Sequence, residues 1–511
     1  MRSVDFSQRD LAQMEERGIT PEALLSQLRL FREGISPLLL ESPATLGNGI
    51  RRIERDSEPL YLKAFHEAAS GGRFSKFVPA SGAATRMFQV PLRWLHEGIP
   101  DESGDPQLRL FSSAIGEGCF PFHPLMESHL RERNLPPSLS LWNEAPERFL
   151  SLLLTGEGLA LAESPKALLP FHLYSDGPRT PLEEHMEEAS RLVTDGNGKA
   201  RLHLTLSESS VDQAKALARE RFPLYTGRGI HAEVSISVQN PTTATIAVNA
   251  ENLPFRDHEG RLLFRPGGHG ALLKNLEALQ GDIVFLRNID NVAPLSRLEE
   301  RLHWSRLLGG LLVLLQEEAF SWTDRLKEGE PTPEEKKRLL AFLKEGLSLS
   351  PSEVLFTLPW PDSRRKILSL LERPMRVCGM VRNQGEPGGG PFWVSGPEGP
   401  SLQIVESSQV DRETPSQRAL WESSTHFNPV DLVCALRDRQ GRPYPLALFS
   451  DPSTSFLSIK SKGGKTLKAL EHPGLWNGAM AHWTTVFVEV PLSTFTPVKT
   501  LFDLLRPEHK P

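Results

Sequence analysis

The chain has 511 residues, of which 39% are hydrophobic and 24% are charged, and its net charge is −6. Such a composition is typical of a folded globular protein with about three average domains. The negative net charge excludes a general attraction to DNA or RNA, so we expect no nucleic-acid partner. The longest apolar stretch, residues 307–315, is too short to span a membrane. Residues 1–9 are polar and do not have the pattern of a signal peptide.

The three cysteines, Cys119, Cys378 and Cys434, lie far apart in the sequence and form no CxxC pair. This spacing predicts neither a zinc site nor a disulfide framework, and it is typical of a protein in the reducing cytoplasm. We therefore expect a cytoplasmic protein without a membrane partner, and the sequence leaves its oligomeric state open.

The first 70 residues have the pattern of helices. Thr20 followed by Pro21 is a typical helix start, and an apolar stripe follows that consists of Leu24, Leu25, Leu28 and Phe31. We predict that residues 1–70 form a helical N-terminal cap.

A short predicted strand at residues 74–79 leads into a loop of small residues, SGAATR, at positions 81–86. Backbone N–H groups in such a loop, together with a helix predicted to open near Thr85, could form an anion site. The residues that would offer these groups are Ser81, Gly82, Ala83, Ala84 and Thr85. Arg86 could add a bidentate contact to phosphate. Small residues also form ordinary turns, and the sequence leaves both interpretations open at this point.

A second well-marked helix begins at Pro181, with Thr180 as its N-cap. Glu184 and His185 in this helix have side chains that could act in catalysis. A capped helix with many charged residues is more typical of the protein surface, and we predict a surface helix here. Strands are predicted at residues 201–206, 231–238 and 243–248.

The stretch at residues 264–294, FRPGGHGALLKNLEALQGDIVFLRNIDNVAP, is the centre of the functional interpretation. It begins with a glycine loop whose backbone a flat ring or a phosphate could approach closely. The loop residues are Gly267, Gly268, His269 and Gly270. Residues 271–279 have helical periodicity, and residues 283–286 form an apolar run typical of a buried parallel strand.

Asp290 lies just past the predicted strand at residues 283–286. Open α/β sheets bind their ligands at the carboxyl ends of strands. Mg²⁺ usually takes one or two carboxylates and shares the rest of its shell with phosphates and water, so Asp290 is a candidate ligand. Asx residues also form plain turns, and the choice between the two depends on partners elsewhere in the chain.

The second half of the chain adds three polar candidates. Residues 295–318 predict an amphipathic helix, and the charged segment at 321–373 predicts a helical insertion. Glu406 ends a predicted strand, and Asn428 follows Phe427; both could bind sugar hydroxyls or satisfy local backbone. Lys499 lies between apolar neighbours and needs an anion beside it if it is partly buried.

Taken in order, these motifs resemble those of the sugar-nucleotide pyrophosphorylases, especially the UDP-glucose and UDP-N-acetylhexosamine types. Three are similar to a GGxGTR-type phosphate loop, a glycine loop near the base and an N-x-D-N motif whose aspartate binds Mg²⁺: SGAATR at 81–86, PGGHG at 266–270 and NIDN at 288–291. Glu406 and Asn428 match two positions that touch the sugar, and PVK at 497–499 matches a lysine motif on the phosphates. The sequence also looks like a bacterial family of uncharacterised proteins along nearly its full length.

The resemblance implies a GT-A-like α/β fold, in which a mixed, mostly parallel sheet is flanked by helices. It implies a nucleotide-binding half over residues 71–320 and a sugar-binding half with a closing segment over residues 374–511. The implied activity is that of an Mg-dependent nucleotidyltransferase, which forms a nucleotide sugar from a nucleoside triphosphate and a sugar 1-phosphate. The implied site residues are Ser81, Gly82, Ala83, Ala84, Thr85, Gly267, Gly268, His269 and Gly270 for the nucleotide, Arg86, Asp290 and Lys499 for catalysis, Asp290 also for Mg²⁺, and Glu406 and Asn428 for the sugar.

The sequence departs from the family pattern at two places and leaves other functions open. Ala83 and Ala84 stand where the family has further glycine, and no lysine closely follows Arg86. One alternative is a GT-A glycosyltransferase that uses a ready-made nucleotide sugar, although residues 288–290 read Asn-Ile-Asp and not D-x-D. A second is a non-catalytic nucleotide-sugar sensor. A third is a pocket for another phosphorylated metabolite, because fold does not fix function.

Overall fold

The computed structural model describes residues 6–82, 84–101, 104–351, 353–386, 388–462 and 465–510. The chain is mixed α/β, and most strands of its principal sheet segments run parallel, as the sequence predicts.

The α-helices within these residues are α1 (Gln8–Glu15), α2 (Pro21–Glu33), α3 (Glu58–Ser70), α4 (Gln89–Glu97), α5 (Pro106–Gly116), α6 (His123–Glu132), α7 (Ser138–Glu144), α8 (Pro146–Leu154), α9 (Pro181–Leu192), α10 (Val211–Thr226), α11 (Leu273–Ala278), α12 (Leu295–Glu328), α13 (Pro333–Ala341), α14 (Trp360–Leu371) and α15 (Pro415–Glu422). None of these helices combines the length and the apolar character that a membrane span requires.

The strands are β1 (Leu40–Pro43), β2 (Thr45–Leu46), β3 (Gly49–Arg51), β4 (Phe74–Pro79), β5 (His172–Tyr174), β6 (Gly177–Arg179), β7 (Lys199–Leu206), β8 (His231–Val238), β9 (Thr245–Val248), β10 (Phe264–Arg265), β11 (Ile283–Arg287), β12 (Met375–Arg382), β13 (Gly390–Val394), β14 (Ser401–Val405), β15 (His426–Ala435), β16 (Phe456–Lys462), β17 (Lys465–Glu471) and β18 (Thr484–Glu489). Residues 40–51 thus contribute three short strands, so the region predicted as a helical cap is helical only in part. Strand β1 pairs with β13, and β3 pairs with β18. Both partners lie more than 300 residues later, and helical periodicity does not report such distant pairing.

The chain divides into two compact units, each built from three segments. The first unit comprises residues up to 68, 239–286 and 307–490, and the second comprises residues 69–238, 287–306 and 491 onward.

The first unit contains a mixed sheet segment with the strand order β2-β3-β18-β12-β15-β11. The pairs β2/β3, β3/β18 and β18/β12 are parallel, and β12/β15 is antiparallel. Two smaller antiparallel sheets have the orders β1-β13-β14 and β10-β9-β17-β16. Helix α2 packs against the second of these, where Leu24, Leu28 and Phe31 contact the cluster that contains Ile246 and Leu470. Leu25, which the sequence placed in the same stripe, is 43% exposed because it lies on another face of the helix.

The second unit contains three parallel strands in the order β4-β7-β8. Helix α10 follows β7 and precedes β8, as parallel pairing requires a crossover. The hydrophobic core of the second unit contains residues from the loop after β4 and from the C-terminal segment. Ala84 and Met87 belong to the same buried cluster as Val292, Val498 and Leu501. This core holds in place several segments that the sequence analysis identified as functional.

The prediction of a surface helix at residues 181–192 is wrong. Helix α9 has the predicted N-cap, since the Thr180 side chain accepts a hydrogen bond from Glu183 N. However, Glu184 and His185 are buried, and so is Glu188. The acidic residues of α9 are buried because they pair with polar groups of other elements, as Glu184 does with His172 and Glu188 with Lys76, and a single sequence does not reveal such pairs.

Candidate active site

Asp290 follows β11 in a tight turn at which the Asn291 N–H donates to the Asn288 carbonyl (3.1 Å). The residue is 7% exposed, and its neighbours Ile289 and Val292 are buried. The carboxylate is therefore fixed by the packing of the chain around it.

Asn291 orients this turn. Its Oδ1 accepts hydrogen bonds from Arg301 Nη2 (2.9 Å) and from the backbone N–H of Thr496 (3.1 Å). Arg301 Nη1 also donates to the Asn291 carbonyl (2.7 Å). The last residue of the NIDN motif thus has a structural role: it joins the turn that carries Asp290 to the C-terminal segment.

The PVK motif lies directly beside the NIDN motif. Asn291 and Pro497 form an antiparallel bridge, and the Val498 N–H donates to the Asp290 carbonyl (2.9 Å). Lys499 then extends its ammonium group to the carboxylate, where Nζ lies 3.0 Å from both Oδ1 and Oδ2 of Asp290. Two motifs that are more than 200 residues apart in sequence therefore meet at one carboxylate.

A second lysine, Lys166, contacts the same carboxylate. Its Nζ donates to Asp290 Oδ2 (3.0 Å) and to the Val498 carbonyl (3.0 Å), and its side chain is 12% exposed. The sequence analysis missed Lys166. The sequence offers only a weak signal for it, a single charge between Pro165 and the apolar Ala167.

The electrostatics of this cluster favour an anion. Burial alone would raise the pKa of the Asp290 carboxyl, but the ammonium groups of Lys499 and Lys166 outweigh this effect and hold the pKa below its ordinary value. Asp290 is therefore ionised. Two positive charges and one negative charge leave one positive charge in excess, and such charge with N–H donors suits a phosphate group.

The small-residue loop after β4 is anchored at both ends. The Ala80 N–H donates to the Thr205 carbonyl (2.9 Å), and the Ala84 N–H donates to the Ser164 carbonyl (3.2 Å). Ala84 is buried. The predicted phosphate-binding residues that are exposed are Ser81, Gly82, Thr85 and Arg86, and Ala83 lies outside the described residues.

The helix predicted to open near Thr85 is a single 3-10 turn, Ala84–Arg86, and α4 begins only at Gln89. The turn is closed by two hydrogen bonds to one acceptor, since the N–H groups of Met87 and Phe88 both donate to the Ala84 carbonyl (2.8 and 3.2 Å). A turn this short does not offer the N-terminus of a helix. The exposed residues of this loop whose side chains could contact an anion are Ser81, Thr85 and Arg86.

The first unit contains the other group of predicted residues. Gly267 and Gly270 pack tightly against a neighbouring chain segment: a Cβ atom at Gly267 would collide with His472, and one at Gly270 would collide with the Pro473 carbonyl. Gly268 has a φ of +72°, in the left-handed region that favours glycine. The close approach that the sequence predicted for a ligand is made at these positions by the chain itself.

His269 projects from this loop into a cluster with Trp476 and Glu406. Its ring stacks on Trp476, with a centroid separation of 4.3 Å and an interplanar angle of 22°. His269 Nδ1 accepts a hydrogen bond from the Leu475 N–H (3.0 Å), so Nε2 carries the proton when the ring is neutral. This Nε2 lies 3.9 Å from Glu406 Oε1, a gap that a hydroxyl group can bridge.

The protonation of both groups follows from burial. Burial lowers the pKa of His269 to about 4, so the ring is neutral at physiological pH. Burial also raises the pKa of Glu406, and a hydrogen bond from Trp476 opposes that rise. A neutral N–H donor thus faces the carboxyl oxygens of Glu406, which is a suitable pair for a sugar or ribose hydroxyl.

The pKa of His269 gives a testable pH dependence of stability. Below about pH 6.5, the ordinary pKa of histidine, the unfolded chain takes up a proton that the folded chain binds only near pH 4. Stability is therefore lost as the pH falls from 6.5 to 4. The His269 side chain is 27% exposed, so we expect wild type to lose about 1–2 kcal/mol more than His269→Gln over this range. Urea unfolding of both proteins at pH 7 and pH 4.5 measures the difference, and equal losses would contradict it.

Asn428 is buried and is held by hydrogen bonds to backbone groups of nearby residues. Its Oδ1 accepts a hydrogen bond from the Val430 N–H (3.1 Å), and its N–H donates to the Gly389 carbonyl (2.9 Å). Val430 has a φ of +59°, which is a strained conformation for a β-branched residue. Of the two roles that the sequence left open for Asn428, the structure shows the contact to local backbone. The strained residue, Val430, lies two positions after it.

Comparisons with known proteins complete the description of the site. The sequence matches the family described as "Domain of unknown function (DUF4301)" over residues 7–510. The chain belongs to this family. Among curated proteins, no sequence matches the chain.

Members of one enzyme class recur among the solved structures to which this DUF4301 chain is similar. The UDP-N-acetylglucosamine pyrophosphorylase of Trypanosoma brucei, in complex with an inhibitor, is 12% identical, with a TM-score of 0.49 and coverage of 98% of this chain and 79% of that chain. The UDP-glucose pyrophosphorylase of Leishmania major, solved in open and closed structures, is 15% identical, with a TM-score of 0.44 and coverage of 98% and 80%. This is the class that the motifs of the chain resemble.

Asp290 is the one carboxylate of this cluster, so Mg²⁺ would fit here only as an ion that the protein shares with the substrate phosphates. Within the described residues, no group of three or more His, Cys, Asp or Glu side chains could hold a metal ion. The protein would therefore contribute one carboxylate, which is within the range that Mg²⁺ accepts when phosphates and water complete its shell. Oδ1 accepts from Lys499, whose side chain is 52% exposed, so movement of that lysine would free an oxygen.

Proposed function

We propose that this protein is an Mg-dependent nucleotidyltransferase with a GT-A-like fold, which acts in the cytoplasm. It joins a nucleoside triphosphate to a sugar 1-phosphate, and the products are a nucleotide sugar and pyrophosphate. The observation that carries the proposal is the ionised Asp290 between Lys166 and Lys499, with one positive charge in excess. The resemblance of the surrounding motifs to the sugar-nucleotide pyrophosphorylases supports the same class.

The reaction requires positioning more than acid–base chemistry. An oxygen of the sugar 1-phosphate forms a bond to the α-phosphorus of the triphosphate, while the bond from that phosphorus to the oxygen bridging to the β-phosphate breaks. Pyrophosphate leaves with the electron pair of the broken bond. The attacking phosphate is already ionised at neutral pH, so no general base is needed. Alignment of the reactants and neutralisation of their charge supply the acceleration.

In the second unit, two side chains are assigned to the phosphates and one to the metal ion. Lys499 is half exposed and neutralises the sugar phosphate or the α-phosphate. Arg86 is exposed and can contact phosphate oxygens in a bidentate manner. Asp290 would hold Mg²⁺, which supplies neutralisation of phosphate charge when it is bound. Ser81, Gly82 and Thr85 contribute the exposed surface of the loop.

In the first unit, the assignments concern the nucleoside and the sugar. Gly268 and His269 are assigned to the base, and Glu406 and Asn428 to the sugar. Gly267 and Gly270 support this loop, because they pack against residues 472–473. The support is the 3.9 Å separation of His269 Nε2 and Glu406 Oε1, which suits a bridging hydroxyl. The stacked ring of Trp476 adds an aromatic side chain to these assignments.

Pyrophosphate distinguishes this function from its alternatives. A nucleotidyltransferase releases pyrophosphate from a nucleoside triphosphate only when a suitable sugar 1-phosphate is present. A glycosyltransferase releases a nucleoside phosphate from a nucleotide sugar, and a sensor binds the nucleotide sugar without turnover. A pyrophosphate assay over triphosphates and sugar 1-phosphates therefore tests the proposal directly.

A further inference from the structure

Two lysines contact Asp290, and they differ in exposure and in the carboxylate oxygens that they contact. The Lys499 side chain is 52% exposed, and its Nζ contacts both carboxylate oxygens. The Lys166 side chain is 12% exposed, and its Nζ contacts only Oδ2 among these two oxygens. One of the two cations is therefore accessible to a ligand, and the other is enclosed by the protein.

Lys166 is also fixed by its surroundings. Its Nζ donates to the Val498 carbonyl (3.0 Å) as well as to Asp290. Its backbone N–H approaches the Gly82 carbonyl (3.5 Å), and the preceding Ser164 carbonyl accepts from Ala84 (3.2 Å). The segment that carries Lys166 thus lies against the small-residue loop, and its ammonium group has two protein acceptors that keep it in place.

We propose that Lys166 is a positioning residue that holds Asp290 through Oδ2, so that Lys499 can leave the carboxylate and bind a substrate phosphate. This inference rests on the proposed function. The Asp290 side chain is only 10% exposed, and a buried carboxylate that loses its counter-charge is costly. In the metal-free protein without Lys166, departure of Lys499 would leave Asp290 in that state, so Lys499 would stay on Asp290. With Lys166 in place, one cation always remains on the carboxylate.

The proposal makes Lys166 act through Asp290, and a double-mutant cycle tests that dependence. The variants are Lys166→Met, Asp290→Asn and the two combined, and the probe is inorganic pyrophosphate titrated in EDTA by calorimetry, so that no metal contributes. In the wild-type background we expect Lys166→Met to weaken pyrophosphate binding about 10- to 100-fold. In the Asp290→Asn background there is no carboxylate to release, and we expect the same change to weaken binding less than about threefold.

A matched control removes a lysine of the same unit that lies outside the cluster. Lys199 pairs with Glu233 (3.2 Å) and its side chain is 46% exposed, so Lys199→Met is expected to leave pyrophosphate binding unchanged. Thermal melts of all variants establish that they are folded. Rescue of the Lys166→Met defect by Asp290→Asn also excludes simple misfolding as its cause.

Three outcomes would overturn the inference, and they can be told apart. If Lys166→Met weakens binding equally in both backgrounds, Lys166 contacts phosphate itself and is not a positioning residue. If it has no effect in the wild-type background while wild type binds pyrophosphate, the inference fails and the proposed function stands. If wild type binds no pyrophosphate in EDTA, the inference fails, and pyrophosphate release in the presence of Mg²⁺ decides the proposed function separately.

Discussion

We expect Lys499→Met to lower the rate of pyrophosphate release by about 10²- to 10³-fold, the usual effect of removing one preorganised group that stabilises developing charge. The ammonium group of Lys499 lies 3.0 Å from both oxygens of Asp290 and is accessible to solvent. It is thus the cation of this cluster that can reach a phosphate. Steady-state rates with a saturating nucleoside triphosphate and sugar 1-phosphate measure the effect.

The fold should tolerate this change. The backbone of Lys499 donates to Asp503 Oδ2 (2.9 Å), a contact that methionine keeps. The half-exposed side chain leaves no large cavity when it is replaced. Lys199→Met serves as the control for loss of a positive charge from the same unit. A Lys499→Met protein that is folded and keeps the wild-type rate would remove Lys499 from the reaction.

A buried cluster of charged residues is linked to the turn that carries Asp290. Glu188 of α9 is 2% exposed. Its Oε1 lies 3.0 Å from both Lys76 Nζ and Arg287 Nη1, and its Oε2 lies 3.9 Å from Arg301 Nη1. Burial lowers the pKa of Lys76 to about 8, and the Glu188 carboxylate opposes that fall. Arg301 in turn holds Asn291, so the charge of Glu188 is connected to the turn that carries Asp290.

We expect Glu188→Gln to lower the free energy of unfolding by about 3–5 kcal/mol, because it removes a carboxylate that three buried cations share. Urea unfolding followed by circular dichroism measures the change. The control is Glu299→Gln, since the Glu299 side chain is 66% exposed and pairs with Arg191 at 2.9 Å. For such an exposed pair we expect a loss below about 1 kcal/mol. Equal losses in the two variants would show that the buried cluster has no special part in stability.

Local signals in the sequence were sufficient to predict several elements that position the site. Residues 283–286 were predicted as a buried strand from their apolar run, and β11 is Ile283–Arg287. The N-cap at Thr180 also follows from residues that are adjacent in sequence. In each case the physical cause acts within one turn or one strand, so a single sequence contains it.

Other features depend on contacts between distant residues, and the sequence does not reveal them. Lys166 contacts a carboxylate 124 residues later, and no local pattern marks it. Helix α9 has the composition of a surface helix, but its acidic residues are buried against basic residues of other elements such as Lys76 and Arg287. The glycines at positions 267 and 270 do permit close approach, but the partner at these positions is the segment around His472 and Pro473.

The most direct test of the account is pyrophosphate release with Mg²⁺, each nucleoside triphosphate and a panel of sugar 1-phosphates, for wild type and Asp290→Asn. The account predicts release by wild type with at least one pair of substrates and a loss of release in the variant, because the ionised Asp290 is the proposed Mg²⁺ ligand. Release that is equally fast in Asp290→Asn, or no release from any pair by a folded wild-type protein, would contradict it.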